Sequence, residues 1–246
     1  MSDGCILIPA RYGSSRFPGK PLAKIQGQEL IEWVRKACEK NAHGWPVYVV
    51  TDDDRIEDCV KSGGGAVLRV DDDLPSGSDR IYAAFERHLK DQNLKFILNV
   101  QGDEPLLEID SIDSLIQMAR NENFDVLTLL HKRERCEKDF TDRNKVKVIY
   151  TPDNKKCHYF SREPIPHDQQ EETCWYQHIG LYLYQKEALS KFVESSVGHY
   201  EKSERLEQLR FLEIGLTIKA QEVEKAWTGV DTPEDLKKVE EKLGGQ

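Results

Sequence analysis

Apolar positions fall into short dense runs, separated by stretches in which they recur every three or four residues. Ile6 to Pro9, Val47 to Thr51, Ala66 to Val70, Phe96 to Val100 and Asp125 to Leu130 read as strands buried on both faces. Between them lie helical stripes. Leu30, Ile31, Val34, Ala37 and Cys38 share one face of a helix predicted over Glu29 to Asn41. A second helix runs from about Arg55 to Ser62 and stops at Gly63-Gly64-Gly65. A third, Ser78 to Leu89, turns Ile81, Phe85 and Leu89 inward, and a fourth carries Ile112, Leu115, Ile116 and Ala119. Strand and helix in alternation predict an α/β fold with a mainly parallel sheet covered on both faces.

The rhythm changes after residue 145. Val146 to Tyr150, Cys157 to Phe160 and Tyr176 to Tyr184 follow one another without intervening helices, which predicts an antiparallel β excursion near 145–200. A charged helix over Lys202 to Ile214, a strand over Leu216 to Val223 and a last helix over Pro233 to Leu243, capped by Thr232, complete the chain. No internal repeat and no linker composition interrupts residues 1–246, so a single domain with that excursion is expected.

Composition narrows the function. The 246 residues carry a net charge of -9, with 32% charged and 38% apolar positions. An acidic chain of this kind is not a general binder of nucleic acid or membrane surfaces, so an anionic ligand needs a local cationic cluster. No apolar run approaches the roughly 20 residues of a membrane span, and no secretory signal is visible. Six cysteines are scattered without a CxxC pair, which suits reduced thiols in the cytoplasm better than zinc ligands or a disulfide framework.

That cationic cluster stands directly behind the first strand. Ala10, Arg11, Gly13, Ser14, Arg16, Gly19 and Lys20 form a loop rich in cations, hydroxyls and glycines, stiffened by Pro18 and Pro21. Glycine lets backbone approach a ligand, arginine forks two phosphate oxygens and lysine acts as a point charge. The loop is neither Gly-x-x-x-x-Gly-Lys-Ser/Thr nor Gly-x-Gly-x-x-Gly, and a solvated basic surface loop is the plainer reading. Two carboxylates at other strand ends favour the ligand. Asp103 follows the fourth strand and Asp231 the last. Each alone suits a turn or a helix cap. Together with the loop they suit a Mg²⁺ ion bridging substrate phosphates.

Seven ordered motifs then carry a resemblance. "IPARYGSSRFPGKPL", "PSGSDR", "NVQGDEPLL", "YFSREPIP", "HIGLYLY", "RLEQLRFLE" and "TGVDTPEDL" are similar, over nearly the whole chain, to the 3-deoxy-manno-octulosonate (KDO) cytidylyltransferases. The resemblance implies a nucleotide-diphospho-sugar transferase-like fold, a homodimer and a place in lipopolysaccharide biosynthesis. The implied reaction joins CTP to an eight-carbon ulosonic acid and releases pyrophosphate. It also implies roles. Arg11, Arg16 and Lys20 clamp the triphosphate. Ala10, Gly13, Ser14, Ser76, Gly77 and Arg80 lie at the nucleotide. Asp103 and Asp231 hold Mg²⁺, as one ion or two. Gln101, Arg162, His178, Tyr182, Glu207 and Gln208 meet the sugar.

Two positions depart from the family pattern. Leu74 stands where a histidine is usual, and Gln185 where an arginine is usual. They bear on the sugar rather than the reaction, and 8-amino-3,8-dideoxy-manno-octulosonate is the alternative substrate. The first motif separates the chain from the sialic acid synthetases, whose loop usually continues into a Lys-Asn pair. A non-catalytic nucleotide-sugar binder of the same fold is the alternative of another class, opposed by the retained Lys20, Asp103 and Asp231.

Overall fold

The computed structural model describes residues 2–13, 17–135, 138–167, 174–227 and 229–244. The chain divides into two compact units, residues 1–113 with 227–246, and residues 114–226. Both mix strands and helices as the periodicity predicts.

In the first unit the strands are β1 (Gly4–Pro9), β4 (Val47–Thr51), β5 (Ala66–Arg69) and β6 (Phe96–Asn99), with a two-residue hairpin, β2 (Lys24–Ile25) and β3 (Gln28–Glu29), between β1 and β4. The helices are α1 (Leu30–Cys38), α2 (Asp54–Ser62) and α3 (Gly77–His88). A fourth, α4 (Ile109–Asn121), begins in this unit and ends in the second, and a C-terminal helix spans Pro233–Gly244. The four long strands are parallel in the order β5-β4-β1-β6, with Ile6 opposite Val47 and Gly4 opposite Phe96. Cys5, Ile6, Leu7 and Ile8 are all fully buried, as an apolar run covered on both faces requires.

The strand order fixes where a ligand belongs. From β1 the chain proceeds outward through β4 to β5, then returns to place β6 on the other side of β1. The loops leaving β1 and β6 therefore diverge, and the crevice at that reversal is where open α/β sheets bind ligands. Here the loops also touch. A methyl group added to Gly102 would lie 3.1 Å from the Pro9 carbonyl oxygen, a tight contact that favours glycine here. A small apolar cluster of Ile25, Leu30, Val230 and Val239, flanked by Phe17, Trp33 and Leu106, ties the first loop to the segment before the C-terminal helix.

The second unit holds β7 (Val126–Arg133), β8 (Lys147–Thr151), β9 (Lys156–Ser161), β10 (Trp175–Gln185) and β11 (Ile218–Val223), with α5 (Lys186–Glu194), α6 (His199–Glu204) and α7 (Gln208–Glu213). The strands run β10-β7-β11-β9-β8, and β10 also pairs with β8, so the five strands close on themselves. β7 and β11 are parallel, and the other pairings are antiparallel. β10 is bulged between Ile179 and Tyr182, and Thr128 Oγ1 lies 3.2 and 2.9 Å from the carbonyls of Ile179 and Leu181.

One predicted element is corrected. The helix expected over Lys202 to Ile214 is two helices, α6 and α7, because Arg205 takes a left-handed conformation at φ 54° and ends the first. The buried Arg210 guanidinium forks Glu201 at 2.6 and 2.5 Å, holding the two helices across the break. Among the described residues no helix is long and apolar enough to cross a membrane.

Candidate active site

The loop after β1 is shaped by its own backbone. Gly19 is left-handed at φ 71° and donates to the Tyr12 carbonyl at 2.9 Å. Lys20 then opens a 3-10 turn over Lys20–Leu22 with Pro21 inside it. Tyr12 is held from above by Arg55, whose guanidinium carbon lies 3.3 Å from the ring centroid. Arg55 is itself forked onto Asp53, the N-cap of α2, at 3.0 and 2.7 Å. Arg11 donates to the Leu74 carbonyl. Ala10 is buried, and Gly13 has open space where a side chain would stand. Ser14 and Arg16 lie outside the described residues.

Lys20 connects three strand-end loops. Its ammonium is 2.5 Å from Asp103 Oδ2 and 3.4 Å from Asp231 Oδ1. The two aspartates are placed by backbone as well, since Val230 N–H donates to the Asp103 carbonyl at 2.8 Å. Glu104, beside them, has its carboxyl pushed up to about 8 by loss of solvent and then by the charges of Asp103 and Asp231, with Lys20 opposing. Gln101 is half-buried at the head of the same turn, its carbonyl accepting from Glu104 N–H at 3.4 Å.

The segment before α3 reaches the end of β1. A methyl group on Gly77 would meet the Pro9 ring at 3.5 Å. Ser76 caps α3 through Asp79, accepting from its N–H at 3.2 Å and donating to its carboxylate at 2.6 Å. Arg80 is 1% exposed, with 2.7 Å to the Val70 carbonyl and 2.8 Å to Asp52 Oδ2, while its Nε has no hydrogen-bond partner among the described residues. Burial, then the positive charge of Arg11, lowers its pKa. Arg80 thus lies near Arg11 and braces the turn from Val70 to Asp72 against Asp52.

Of the residues expected at the sugar, all but Gln101 belong to the second unit. His178 and Tyr182 lie on either side of the β10 bulge, rings 5.4 Å apart, with Phe160 edge-on to His178 at 5.1 Å. Thr128 Oγ1 is 3.0 Å from His178 Nε2. Burial holds the Tyr182 hydroxyl well above its usual range, with Tyr184 and Glu207 adding to it. Glu207 stands at the N-terminus of α7, and the buried Gln208 beside it has a side-chain nitrogen with no hydrogen-bond partner among the described residues. Arg162 is committed to backbone, donating to the carbonyls of Glu204 at 2.9 Å, Arg143 at 3.1 Å and Arg205 at 3.3 Å.

Burial pushes the His178 imidazole down to about 3. The folded protein keeps it neutral while the unfolded chain takes up a proton below about 6.5, its ordinary value. Stability from this residue is therefore whole above pH 6.5 and declines as pH falls toward 3, by up to about 1.4 kcal/mol per pH unit. Urea midpoints at pH 7 and pH 4.5 are expected to differ less in His178→Gln than in the unaltered protein. An equal difference in both would rule out a buried neutral His178.

Arg55, Tyr12 and Thr128 were not singled out by their motifs. Thr128 left one signal, a lone polar residue inside the apolar run "DVLTLL". Arg55 left none, because "TDDDRIED" reads as an ordinary helix start.

The family profile described as cytidylyltransferase matches residues 5–219. The 3-deoxy-manno-octulosonate cytidylyltransferase of Thermodesulfovibrio yellowstonii is 41% identical, covering 96% of each chain. The 8-amino-3,8-dideoxy-manno-octulosonate cytidylyltransferase of Shewanella sediminis is also 41% identical, covering 97% of each. A solved structure of CMP:2-keto-3-deoxy-manno-octonic acid synthetase complexed with CTP superposes with a TM-score of 0.93 at 34% identity, over 99% of both chains. The chain thus belongs to the cytidylyltransferase family, and within it to the 3-deoxy-manno-octulosonate cytidylyltransferases.

Proposed function

We propose that this protein transfers the cytidylyl group of CTP to the anomeric hydroxyl of KDO, giving CMP-KDO and pyrophosphate. The observation that carries the reading is the meeting of Lys20, Asp103 and Asp231 at the reversal point of the parallel sheet. The sugar hydroxyl oxygen attacks the α-phosphorus, the bond from that phosphorus to the α,β-bridging oxygen breaks, and the hydroxyl proton is lost. Such a transfer needs positioning and charge neutralisation more than covalent help. Arg11 and Lys20 hold the triphosphate beside the open backbone at Gly13, and Arg80 supports them from beneath. His178, neutral at working pH, orients a sugar oxygen with Tyr182, while Glu207 and Gln208 take further hydroxyls. The Arg162 guanidinium, already engaged by carbonyls, offers its remaining donor capacity to the sugar carboxylate.

The residues present fit a Mg²⁺ ion. Two oxygen-donating carboxylates converge on one ammonium group, and after burial their charge adds to the raised pKa of Glu104. Among the described residues no group of three metal-binding side chains forms, so Asp103 and Asp231 would leave the other positions to water and phosphate. When bound, the ion supplies neutralisation of the phosphate charge that develops as pyrophosphate leaves. We further infer a cytoplasmic homodimer serving lipopolysaccharide assembly, each chain acting as one cytidylyltransferase domain.

The 8-amino sugar is the second reading, favoured by the equally similar Shewanella sediminis relative. Pyrophosphate release from CTP and Mg²⁺, with the two sugars assayed in parallel, tests both. Faster release with KDO is expected. Preference for the amino sugar would reassign the substrate, and release with neither would overturn the enzyme reading.

A further inference from the structure

Lys20 occupies the place that two carboxylates offer to a cation. Its ammonium lies against Asp103 and Asp231 at 2.5 and 3.4 Å, with 14% of the side chain exposed. The carboxylates do not depend on it for their position. The Asp103 backbone is pinned by Val230 N–H, and Val230 is fully buried in the cluster beneath the first loop. The Lys20 backbone is fixed too, by left-handed Gly19 before it, Pro21 after it and the bond from Ala23 N–H to its carbonyl at 3.0 Å. What remains free to move is a four-carbon stem with a point charge at its tip. An ammonium group and a divalent ion drawn to one pair of carboxylates compete, because like charges at such separations repel.

Resting on the reading of Asp103 and Asp231 as metal ligands, we infer that Lys20 keeps the metal position closed in the nucleotide-free protein and gives it up when a triphosphate draws the ammonium away. The tethered monocation exchanges for a free divalent cation, and the metal enters with CTP rather than before it. The same group serves twice, first as a counter-ion to the carboxylates and then as a ligand of the phosphates. The two affinities are linked. Whatever factor CTP adds to metal binding, the metal adds to CTP binding. Part of that factor is the removal of Lys20, and a side chain without charge at position 20 abolishes that part.

The test is calorimetric titration of Mn²⁺ into the full-length protein without nucleotide, then with saturating CTP and no sugar, so that nothing turns over. Unaltered protein, Lys20→Met and Lys20→Arg are compared, with Lys20→Gln replacing the methionine variant if its melting curve shows a folding defect. Without nucleotide, Lys20→Met is expected to bind Mn²⁺ about tenfold more tightly than the unaltered protein, the scale on which a neighbouring charge moves such an equilibrium. Lys20→Arg stays close to the unaltered protein. The gain in Mn²⁺ affinity on adding CTP is expected to be about tenfold smaller in Lys20→Met. Equal or weaker nucleotide-free binding by Lys20→Met, with normal binding in the presence of CTP, would overturn the inference and leave the metal assignment standing. No Mn²⁺ binding by any form, even with CTP, would sink the metal assignment and the inference with it.

Discussion

Asp103→Ala is expected to lower the rate of pyrophosphate release by about a thousandfold while the melting temperature stays within about 4 °C of the unaltered protein. The two halves of that expectation come from different parts of the residue. Its backbone carbonyl accepts from Val230 N–H at 2.8 Å, and Gly102 before it packs against the Pro9 carbonyl. Neither contact involves the carboxylate, so both survive in alanine. The carboxylate's own structural partner is Lys20, in a pair whose members are 14% and 30% exposed. A partly solvated pair of this kind contributes no more than about 1 kcal/mol to stability. The chemical role proposed for it is larger, that of holding charge opposite the phosphates at the moment the α-phosphorus is attacked. Asp103→Asn is expected to behave like the alanine variant, since it keeps the shape and loses the charge. Measured beside each other, kcat and the melting curve decide the matter. A rate within tenfold of normal would remove Asp103 from the reacting site. A fall in melting temperature of 10 °C or more would make it a structural residue instead.

The parts of the molecule that were legible in the sequence are those set by repeated pattern. The apolar runs at Ile6, Val47, Ala66 and Phe96 are the four parallel strands, because a strand buried on both faces has no room for alternation. The position of the first loop followed directly, and Asp103 meets Lys20 where the strand order reverses. What escaped pattern was the direction in which a polar side chain spends its bonds. Arg11, Arg80 and Arg162 are the same residue type in comparable motifs, yet Arg80 is sealed against Val70 and Asp52 and Arg162 is engaged by three carbonyls. Composition cannot distinguish a guanidinium that faces a ligand from one that satisfies buried carbonyls, because both need the same fork of donors. The break at Arg205 was hidden for a related reason. It contains neither glycine nor proline, and is held by the Glu201–Arg210 pair rather than by a local breaker.

Arg80 offers the clearest separation of support from contact. Arg80→Ala is expected to cost about 3 kcal/mol, read as a fall of roughly 6–12 °C in melting temperature. The side chain is 1% exposed, and its removal leaves the Val70 carbonyl without its donor and Asp52 Oδ2 without its cation. The effect then travels to the nucleotide. Val70 follows β5, and the chain beyond it carries Leu74, whose carbonyl receives Arg11. With the brace gone, Arg11 loses a fixed anchor, and KM for CTP is expected to rise about tenfold with a smaller change in kcat. Arg80→Lys separates the two roles further. Lysine restores the charge but not the planar fork, so it meets Asp52 and Val70 less well than the guanidinium does. It is expected to recover part of the lost melting temperature and, in proportion, part of the CTP affinity, because both effects have one structural cause. A residue that touched the nucleotide directly would break that proportion. If Arg80→Lys restored stability fully while KM for CTP stayed raised, or if Arg80→Ala raised KM with no loss of stability, the guanidinium would be a ligand of the nucleotide and not the brace beneath it.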